Sequence, residues 1–376
     1  MKKSLCILLA TILIVSVSVT GCGGGGGGGG GGDWSGETFN WRVQSYTPRG
    51  SKVHDFLEHL VENIERMSGG RMNIEVFAVG ELVASFDMAT SVRDGVLDAT
   101  ISHAGLWTGL ETAMPLFTST AGEFSDPFDV LYWLEYGGGM EIWREVVSRY
   151  NTINFVTGVF DAENFLWTNT PVRSIEDLLA LRIRMMPLAG EIIAANGGQV
   201  VFLPGEEIVP SIERGVIDGG EFATAALDEA WGFHHVARYY HVPGWHQPSS
   251  VLTFDINMDS WNALPADLQA IIEHATRSNT MWTWMENGVR NQAAEARFEA
   301  NGNVMVQLPE EMLITLNEWA TVWFEEQSQV DPLIARIRES QKEFMQWWVP
   351  YKDARVIPYH PWVFDRADEM PRALGS

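Results

Sequence analysis

The sequence predicts an α/β protein built as a two-lobed clamshell, with mixed sheets flanked by helices and long C-terminal helices packing across the lobes. A strand, a helix and a strand recur in both halves of the chain, and the halves close on similar segments, GVLDAT at 95–100 and GVIDGGEF at 215–222. After residue 264 the pattern changes to long helical periods. A chain of 376 residues is long enough for two lobes with separate cores.

The first lobe is predicted over residues 37–158 and is completed by about 250–290. Its strands are expected at 39–46, 72–79, 97–103 and 153–160, and its helices at 53–67, 88–96 and 128–150. The helix before residue 69 should end at Gly69-Gly70, because glycine readily adopts the left-handed conformation of a helix C-cap.

The second lobe is predicted over residues 159–249 and is completed by part of 291–330. A capping box at Ser174 opens a short helix, and the expected strands follow at 182–186, 200–203 and 216–218 with helices at 190–195 and 208–212. The strand at 251–258 should return to the first lobe. Helices at 264–298 and from 309 onward lead into a C-terminal unit of helices and tail, 309–376, which Pro332 should interrupt.

The N-terminus is typical of an export signal. Lys2 and Lys3 precede an apolar run, so residues 1–21 are predicted to be a signal peptide. VTGC at 19–22 resembles a bacterial lipobox, and residues 22–36 are therefore predicted to be a lipidated Cys22 followed by a flexible glycine tether. An ordinary cleaved signal with an incidental cysteine is the alternative.

Composition excludes several classes of function. The formal net charge of −24 argues against nucleic acid as a partner and against electrostatic docking on anionic lipid, which leaves the lipid anchor as the only expected membrane contact. Cys6 lies in the predicted signal and Cys22 at the predicted lipidation site. Disulfides, thiolate metal sites and cysteine catalysis are therefore not expected in the folded part.

A candidate site lies within residues 171–247. It combines Arg184 in a predicted strand, an acidic turn with Asp218 and Glu221, and an aromatic run that ends in GWHQP. A fixed arginine, an anionic ligand group and apolar walls are suited to a small carboxylate, held directly or through a metal ion. The neighbouring Arg182 is interpreted as a surface residue.

Two further segments follow predicted strands. Trp107 comes after the strand at 97–103, where ligands bind in open α/β sheets, so it is a candidate cavity wall, with a buried core position as the alternative. Glu163 and Asn164 follow the strand at 153–160. A surface turn is the default interpretation for this pair, and a ligand role is the alternative.

Five segments in order carry a resemblance to a known family. GELVASFDMATSVRDGVLDAT, YGGGMEIW, SIEDLLALRIRMMP, LPGEEIVPSIERGVIDGGEF and FHHVARYYHVPGWHQP resemble the extracytoplasmic solute receptors of TRAP transporters, the DctP family. The chain looks like the branch that binds 2-oxo acids or lactate through a bound cation. The resemblance covers about residues 37–350 and implies a periplasmic-binding-protein clamshell that delivers a small organic acid anion to TRAP-type membrane subunits.

The resemblance also implies roles for individual residues. Arg184 matches the arginine that pairs with the substrate carboxylate, and Glu221 matches an acidic metal ligand. Phe222 stands where the branch usually has Trp, whose carbonyl helps to coordinate the ion. Glu163 falls where the branch often has Gln, and Gln247 in GWHQP is a further contact to the acid or the cation.

The departures from the family bear on the ion and the acid. Glu163 in place of Gln adds negative charge, which favours calcium over sodium. Phe222 in place of Trp, and AGLWT at 104–108 in place of a tyrosine-rich segment, leave the identity of the acid open.

The leading hypothesis is a receptor that traps a monocarboxylate by closure and has no chemistry of its own. The first rival is a lipid-anchored, metal-assisted lyase or hydrolase, which would need His234, His235 and His246 for acid and base work. The second rival is a ligand-sensing receptor for a signalling partner, which needs the same clamshell. Relatives can dimerise through C-terminal helices, so a homodimer is also open.

Overall fold

The computed structural model describes residues 36–118, 121, 122, 124 and 126–355. It contains two β-sheets, each flanked by helices, which confirms the predicted two-lobed α/β fold. The predicted signal peptide, Cys22 and the run Gly23–Gly32 lie outside the described residues. Within the described ranges, no helix is both long and apolar enough to cross a membrane.

Strands and helices are interspersed up to residue 265, and helices predominate after it. In chain order the strands are β1 (Phe39–Ser45), β2 (Met72–Phe77), β3 (Ala99–His103), β4 (Thr152–Phe160), β5 (Leu166–Thr168), β6 (Arg182–Arg184), β7 (Gln199–Val201), β8 (Gly219–Gly220), β9 (Tyr239–Val242), β10 (Ser250–Asn257) and β11 (Val304–Gln307). The helices are α1 (Lys52–Met67), α2 (Met88–Arg93), α3 (Pro127–Tyr136), α4 (Gly139–Ser148), α5 (Ile175–Leu179), α6 (Pro187–Ala195), α7 (Gly205–Glu213), α8 (Ala225–Trp231), α9 (Phe233–Val236), α10 (Met258–Asn262), α11 (Ala266–Asn301), α12 (Glu310–Val330) and α13 (Pro332–Asp353).

The first sheet has the strand order β2-β1-β3-β10-β4. β1 pairs in parallel with β2 and β3, whereas β10 runs antiparallel to both β3 and β4. The predicted return of the strand near residue 251 to the first lobe is therefore confirmed. It enters the middle of the sheet, which explains why all eight residues of β10 are buried.

The second sheet has the order β11-β9-β5-β8-β6-β7. Its strands are short, and β8 consists of Gly219 and Gly220 only, one residue later than the predicted strand at 216–218. A Cβ on Gly219 would lie 2.5 Å from the Trp167 carbonyl oxygen, so only glycine allows this close strand approach. The chain passes from the first sheet to the second between Phe160 and Leu166, and the lobe boundaries remain predictions.

The helix predicted over 128–150 is two helices. α3 ends at Tyr136 and α4 begins at Gly139, with Gly138 at φ +86° between them. A Cβ on Gly137 would lie 2.6 Å from Cδ1 of Trp133, so this position also requires glycine. The glycine run therefore breaks the helix, because it permits both a left-handed residue and close packing.

The long C-terminal helices connect the two lobes, as predicted. α11 packs on α1 and β4 of the first lobe and on α8 of the second, α12 packs on α6, and α13 packs on α3 and α4. Pro332 begins α13 after the cap at Asp331, which confirms the predicted interruption. Trp348 packs back on the body and donates a 2.6 Å hydrogen bond to Asp129, whereas Trp347 is half exposed.

Candidate functional site

A cavity lies between the two lobes. Its first-lobe lining comes from the carboxyl ends of β1 and β3, the turn before α2 and the start of β10. It consists of Tyr46, Ser85, Phe86, His103, Leu106 and Ser250. The remaining lining comes from the second lobe and the segments that join the lobes, and consists of Glu163, Arg184, Met186, Phe202, Gly205, Glu206, Phe222, Ala223, Trp231 and Gln247. The position agrees with the rule that open α/β sheets bind ligands at strand carboxyl ends.

Arg184 is the positively charged side chain in the described lining of this cavity. It ends β6 and is buried, whereas Arg182 two residues earlier is exposed. Its Nη1 donates to the side chain and to the backbone oxygen of Glu221, both at 2.8 Å, and its Nε donates to the Leu203 carbonyl at 3.1 Å. In the described part of the chain, Nη2 meets only the Met186 sulfur, a weak acceptor, at 3.4 Å. One edge of the guanidinium is thus available to a carboxylate.

Glu221 follows β8 and is fully buried. Its Oε1 accepts hydrogen bonds from Arg184 and, at 2.6 Å, from the backbone N–H of Met186. Burial raises the pKa of this carboxyl, but the Arg184 charge and His246 outweigh burial, so the pKa lies below its usual value. Its Oε2 is buried without a hydrogen bond among the described residues. The side chain is therefore an ionised carboxylate with one free oxygen.

Glu163 is buried beside the GWHQP segment. Its backbone N–H donates to the Gln247 carbonyl at 3.1 Å, and Gln247 Nε2 donates to its Oε1 at 3.0 Å. A Cβ on Gly244 would lie 2.3 Å from the Glu163 carbonyl oxygen, which explains a glycine at that position. Burial raises the pKa of Glu163, and within the described residues its Oε2 has no hydrogen-bond partner.

His246 lies beside both carboxylates and was predicted from the sequence only as an acid–base residue of the enzyme alternative. Its Nε2 lies 3.5 Å from Glu163 Oε2 and 3.6 Å from Glu221 Oε2, too far for hydrogen bonds. Burial opposes protonation of the ring, but the two carboxylates raise the pKa of His246 to about 9. Neither ring nitrogen has a hydrogen-bond partner among the described residues.

These three residues fit a bound cation. Glu163, Glu221 and His246 each offer a ligand atom, and these atoms lie within 4.8 Å of one another. Buried acceptors without partners are costly, and a cation would satisfy them. Of the other predicted ligands, Gln247 contacts Glu163 and lines the cavity, and Phe222 lines it with Trp231 against its ring at 5.2 Å. Coordination by Gln247 and by the Phe222 carbonyl stays a prediction.

Four other residues considered from the sequence do not line the cavity. Trp107 does not line the cavity: it is a core residue whose Nε1 donates to Asp255 at 3.0 Å, and Leu106 forms the wall instead. Asp218 accepts a hydrogen bond from the Arg182 backbone at the exposed end of β6. His234 and His235 lie on α9, outside the cavity lining.

Two polar residues of the cavity lining, His103 and Tyr46, were not predicted from the sequence. His103 ends β3, and burial lowers its pKa to about 4, so its ring is neutral at pH 7. Tyr46 follows β1, and burial raises the pKa of its phenol. Both follow parallel strands at their carboxyl ends, so the rule that singled out Trp107 would also have found them.

An aromatic pair in the cavity lining spans the two lobes. The rings of Phe86 in the first lobe and Phe202 in the second lie 5.2 Å apart at 60°. The Arg184 guanidinium lies 5.6 Å from the centroid of the Phe202 ring. The pair therefore joins the lobes above the charged group.

Two α/β lobes around a buried cavity with a fixed arginine define a solute-binding protein. The chain belongs to the DctP family of bacterial extracellular solute-binding proteins, family 7, whose model matches residues 43–328. The predicted assignment to the TRAP solute receptors is confirmed.

Individual relatives are similar over most of the chain. A monocarboxylate 2-oxoacid-binding periplasmic protein of Nostoc sp. is 28% identical over 324 residues, 85% of this chain and 87% of that protein. A TRAP transporter solute-binding protein from Bordetella bronchiseptica is 25% identical with a TM-score of 0.81, covering 89% of this chain and 98% of its own. That protein forms a mixed-occupancy dimer with copurified calcium and picolinate in one site.

A third comparison concerns the fold. A TRAP periplasmic solute-binding protein from Pseudoalteromonas atlantica, with bound sodium and pyruvate, has a TM-score of 0.80 at 22% identity. The alignment covers 88% of this chain and 99% of that protein. The two-lobed architecture is thus shared at low sequence identity.

Proposed function

We propose that this receptor captures a small monocarboxylate of the 2-oxo or 2-hydroxy acid class, such as pyruvate or lactate, together with a cation, and presents it to TRAP membrane subunits. The observation that carries the proposal is a buried arginine with a free edge beside two buried carboxylate oxygens that have no partner among the described residues. The Nostoc relative, named for binding monocarboxylate 2-oxoacids, supports the same class of solute.

Each polar group has a distinct role in this proposal. Nη2 of Arg184 binds the carboxylate of the acid, because a guanidinium edge matches a carboxylate. Glu163 and Glu221 hold the cation, with Gln247 and the Phe222 carbonyl as further ligands. The cation supplies positive charge to the carboxylate and to the 2-oxo or 2-hydroxy oxygen. Two carboxylates favour a divalent ion over sodium, and on carboxylate chemistry alone the ion is calcium.

The apolar lining excludes water when the lobes close. Leu106 and Phe86 approach from the first lobe, and Met186, Phe202 and Phe222 from the second. Exclusion of water strengthens the attraction between Arg184 and the acid, since charges interact more strongly at low dielectric. Closure would thus both trap the acid and create the form that the membrane subunits recognise.

A thermal-shift screen tests the proposal. Small 2-oxo, 2-hydroxy and dicarboxylic acids are added to the purified protein with calcium, with sodium and after chelation. A true ligand in saturating excess should raise the Tm by several degrees, because it binds only the folded state. The absence of any shift with every monocarboxylate, under all cation conditions, would overturn the proposed solute class.

The enzyme alternative is tested by turnover. The described structure places His234 and His235 outside the cavity lining, which leaves His246 as the only one of the three proposed acid–base residues beside the carboxylates. We expect a bound 2-oxo or 2-hydroxy acid to be recovered unchanged. Conversion of the acid would favour a lyase or hydrolase.

The membrane anchor is a separate proposal. Lipidation of Cys22 with the following glycine run as a tether would hold the receptor at the membrane surface. Cys22→Ser should release the receptor from the membrane fraction. Equal membrane association of the variant and the unchanged chain would contradict the anchor and leave the solute site unaffected.

A further inference from the structure

A buried lysine, Lys52 of α1, lies where the first lobe meets the second. We propose that Lys52 is a positioning residue for solute binding: its amine forms a hydrogen bond across the lobes in the closed form and thereby slows release of the bound acid. The inference rests on the proposed function, because it concerns the rate at which that acid leaves. It assigns Lys52 no contact with the acid itself.

The first lobe fixes the position of the amine. Lys52 begins α1, directly after the cap at Ser51. Its Nζ lies 4.7 Å from the centroid of the Phe160 ring, a distance at which a cation is attracted to an aromatic face. Phe160 ends β4, so both the helix and the ring belong to the first lobe. These contacts of the amine therefore do not depend on the second lobe.

The amine also meets acceptors outside the first lobe. Nζ donates hydrogen bonds to the hydroxyl of Thr224 in the second lobe and to the side-chain oxygens of Asn287 and Asn291 on α11, the last at 3.1 Å. An ammonium has three N–H donors, and these three oxygens match them in number. The Thr224 side chain does not cap α8, which leaves its hydroxyl available to the amine. The contact with Thr224 is a direct interlobe hydrogen bond.

The same group of contacts reaches both segments that carry the buried carboxylates of the site. Thr224 comes three residues after Glu221. Asn287, which accepts from the amine, donates to Asp161 at 3.3 Å, and Asp161 comes two residues before Glu163. The amine is therefore linked, directly or through one side chain, to the two segments that position the carboxylates.

The interlobe hydrogen bond opposes opening of the cavity. Lys52 and Thr224 lie on different lobes, so opening separates them. The amine must then give up a buried acceptor, and hydrogen bonds of charged groups are among the stronger ones in proteins. Because the acid leaves only after the lobes open, this contact lowers its dissociation rate. Docking of the acid on the open form precedes the contact, so the association rate does not depend on it.

Stopped-flow measurements with pyruvate and with lactate, each in the presence of Ca²⁺, test the inference on the purified full chain. They are made at pH 6, because burial lowers the pKa of Lys52 to about 7 and the amine carries its proton below that value. Lys52→Met keeps an unbranched side chain but removes the donors. It should raise the dissociation rate of the acid about tenfold and leave the association rate within about twofold. A mere loss of stability would not divide the two rates in this way.

Variants of Thr224 test the other end of the hydrogen bond and cover the case in which Lys52→Met fails to fold. Thr224→Val removes the hydroxyl and should also raise the dissociation rate about tenfold, whereas Thr224→Ser keeps the hydroxyl and should retain the slow rate. The double variant with Lys52→Met and Thr224→Val should release the acid no faster than either single variant, because both remove the same contact. Additive effects, or slow release by Thr224→Val, would overturn the inference.

Asp55→Asn is the matched control. Asp55 lies on the same helix and accepts a 2.6 Å hydrogen bond from Arg290 on α11, a contact that does not involve the second lobe. Its dissociation rate should stay within about twofold of the unchanged protein. Equal acceleration in Asp55→Asn and Lys52→Met would overturn the inference, since it would show that any loosening of α1 releases the acid.

Failure of this inference is distinguishable from failure of the proposed function. Binding of pyruvate or lactate with the same dissociation rate in the unchanged protein and in Lys52→Met would overturn only the role of Lys52. No binding of either acid by the unchanged protein would count against the proposed function and would defeat the inference with it.

Discussion

The two lobes contribute unlike groups to the same cavity. The charged residues of the described lining, Glu163, Arg184 and Glu206, all come from the second lobe and the segment that enters it. The first lobe contributes an aromatic ring, an aliphatic side chain, a phenol, two serine hydroxyls and the neutral imidazole of His103. The charged side chains of the lining therefore do not depend on the first lobe.

The difference indicates that the two lobes act at different steps of binding. Arg184 and Glu221 are fixed by contacts within the second lobe, so closure is not needed to position them. We expect the anion and its cation to dock on the second lobe first, and the first lobe to remove water afterwards. Variants in the two lobes should therefore affect different steps.

The largest effect is expected from Arg184→Ala, which removes the positive charge that the second lobe places in the cavity lining. It should abolish stabilisation by the acid and lower the free energy of unfolding by about 3–5 kcal/mol, because Glu221 is left as an unpaired buried charge. Calorimetry and urea unfolding provide the measurements. Arg182→Ala, on the same strand but exposed, is the control and should cost less than about 0.5 kcal/mol. Undiminished acid binding by Arg184→Ala would refute the carboxylate role.

The next effect concerns Lys52, a buried residue of α1 in the first lobe that does not line the cavity. Its Nζ donates to Thr224 of the second lobe and to Asn287 and Asn291 on α11. Burial lowers its pKa to about 7 from 10.5, and nearby carboxylates offset this only in part. Between pH 7 and 10.5 the unfolded chain therefore binds more protons at Lys52 than the folded chain does. As a result, Lys52 makes the free energy of unfolding rise with pH in that range.

The contribution of Lys52 is isolated by Lys52→Met. Below pH 7 both states carry the proton and the residue adds no pH dependence. Between pH 7 and pH 9 the free energy of unfolding should increase by on the order of 2 kcal/mol more in the unchanged protein than in the variant. Urea unfolding at several pH values measures it. Parallel stability curves for the two proteins would show that Lys52 is protonated normally, and that the first lobe does place a full charge beside the cavity.

A smaller effect is expected from Glu163→Gln, which restores the residue often found in the family branch. Loss of one buried carboxylate charge should weaken divalent binding about tenfold while sodium binding is maintained. Glu206→Gln is the control, since Glu206 lines the same cavity but is exposed. Titration of each cation measures the effect, and equal losses in both variants would mean that overall charge, not coordination, sets the preference.

The smallest effect is expected at the aromatic pair. Phe86→Ala and Phe202→Ala should each raise the dissociation rate of the acid less than tenfold, because each removes half of one contact between the lobes. The double variant should add little to either single change. Stopped-flow dissociation measures this. Fully additive effects would show that the rings act separately.

The sequence predicted most of the fold because strong patterns determined it. The amphipathic period of α1, the proline that begins α13 and the repeated strand–helix order are local signals, and each agrees with the structure. The break between α3 and α4 was missed because it depends on Trp133 packing against Gly137, a contact that periodicity does not contain. β8 was placed too early because two glycines carry no strand signal.

The site was predicted in part for similar reasons. Arg184 and Glu221 belong to recognisable motifs on a strand and the turn beside it, and the structure joins them by a 2.8 Å ion pair. His246 was not predicted as a ligand because its contact with Glu163 joins segments more than 80 residues apart. For Trp107 the structure agrees with the alternative, a buried core position, and Leu106 beside it lines the cavity.

The position of β10 also determines the order in which the molecule can be assembled. The strand lies between β3 and β4, so a nascent chain that stops before residue 250 lacks the middle of its first sheet. The second sheet in turn waits for β11 near residue 304. The first lobe cannot reach its final strand order before residue 257 has been made, and the second cannot before residue 307. The chain is therefore incompletely folded through most of its synthesis.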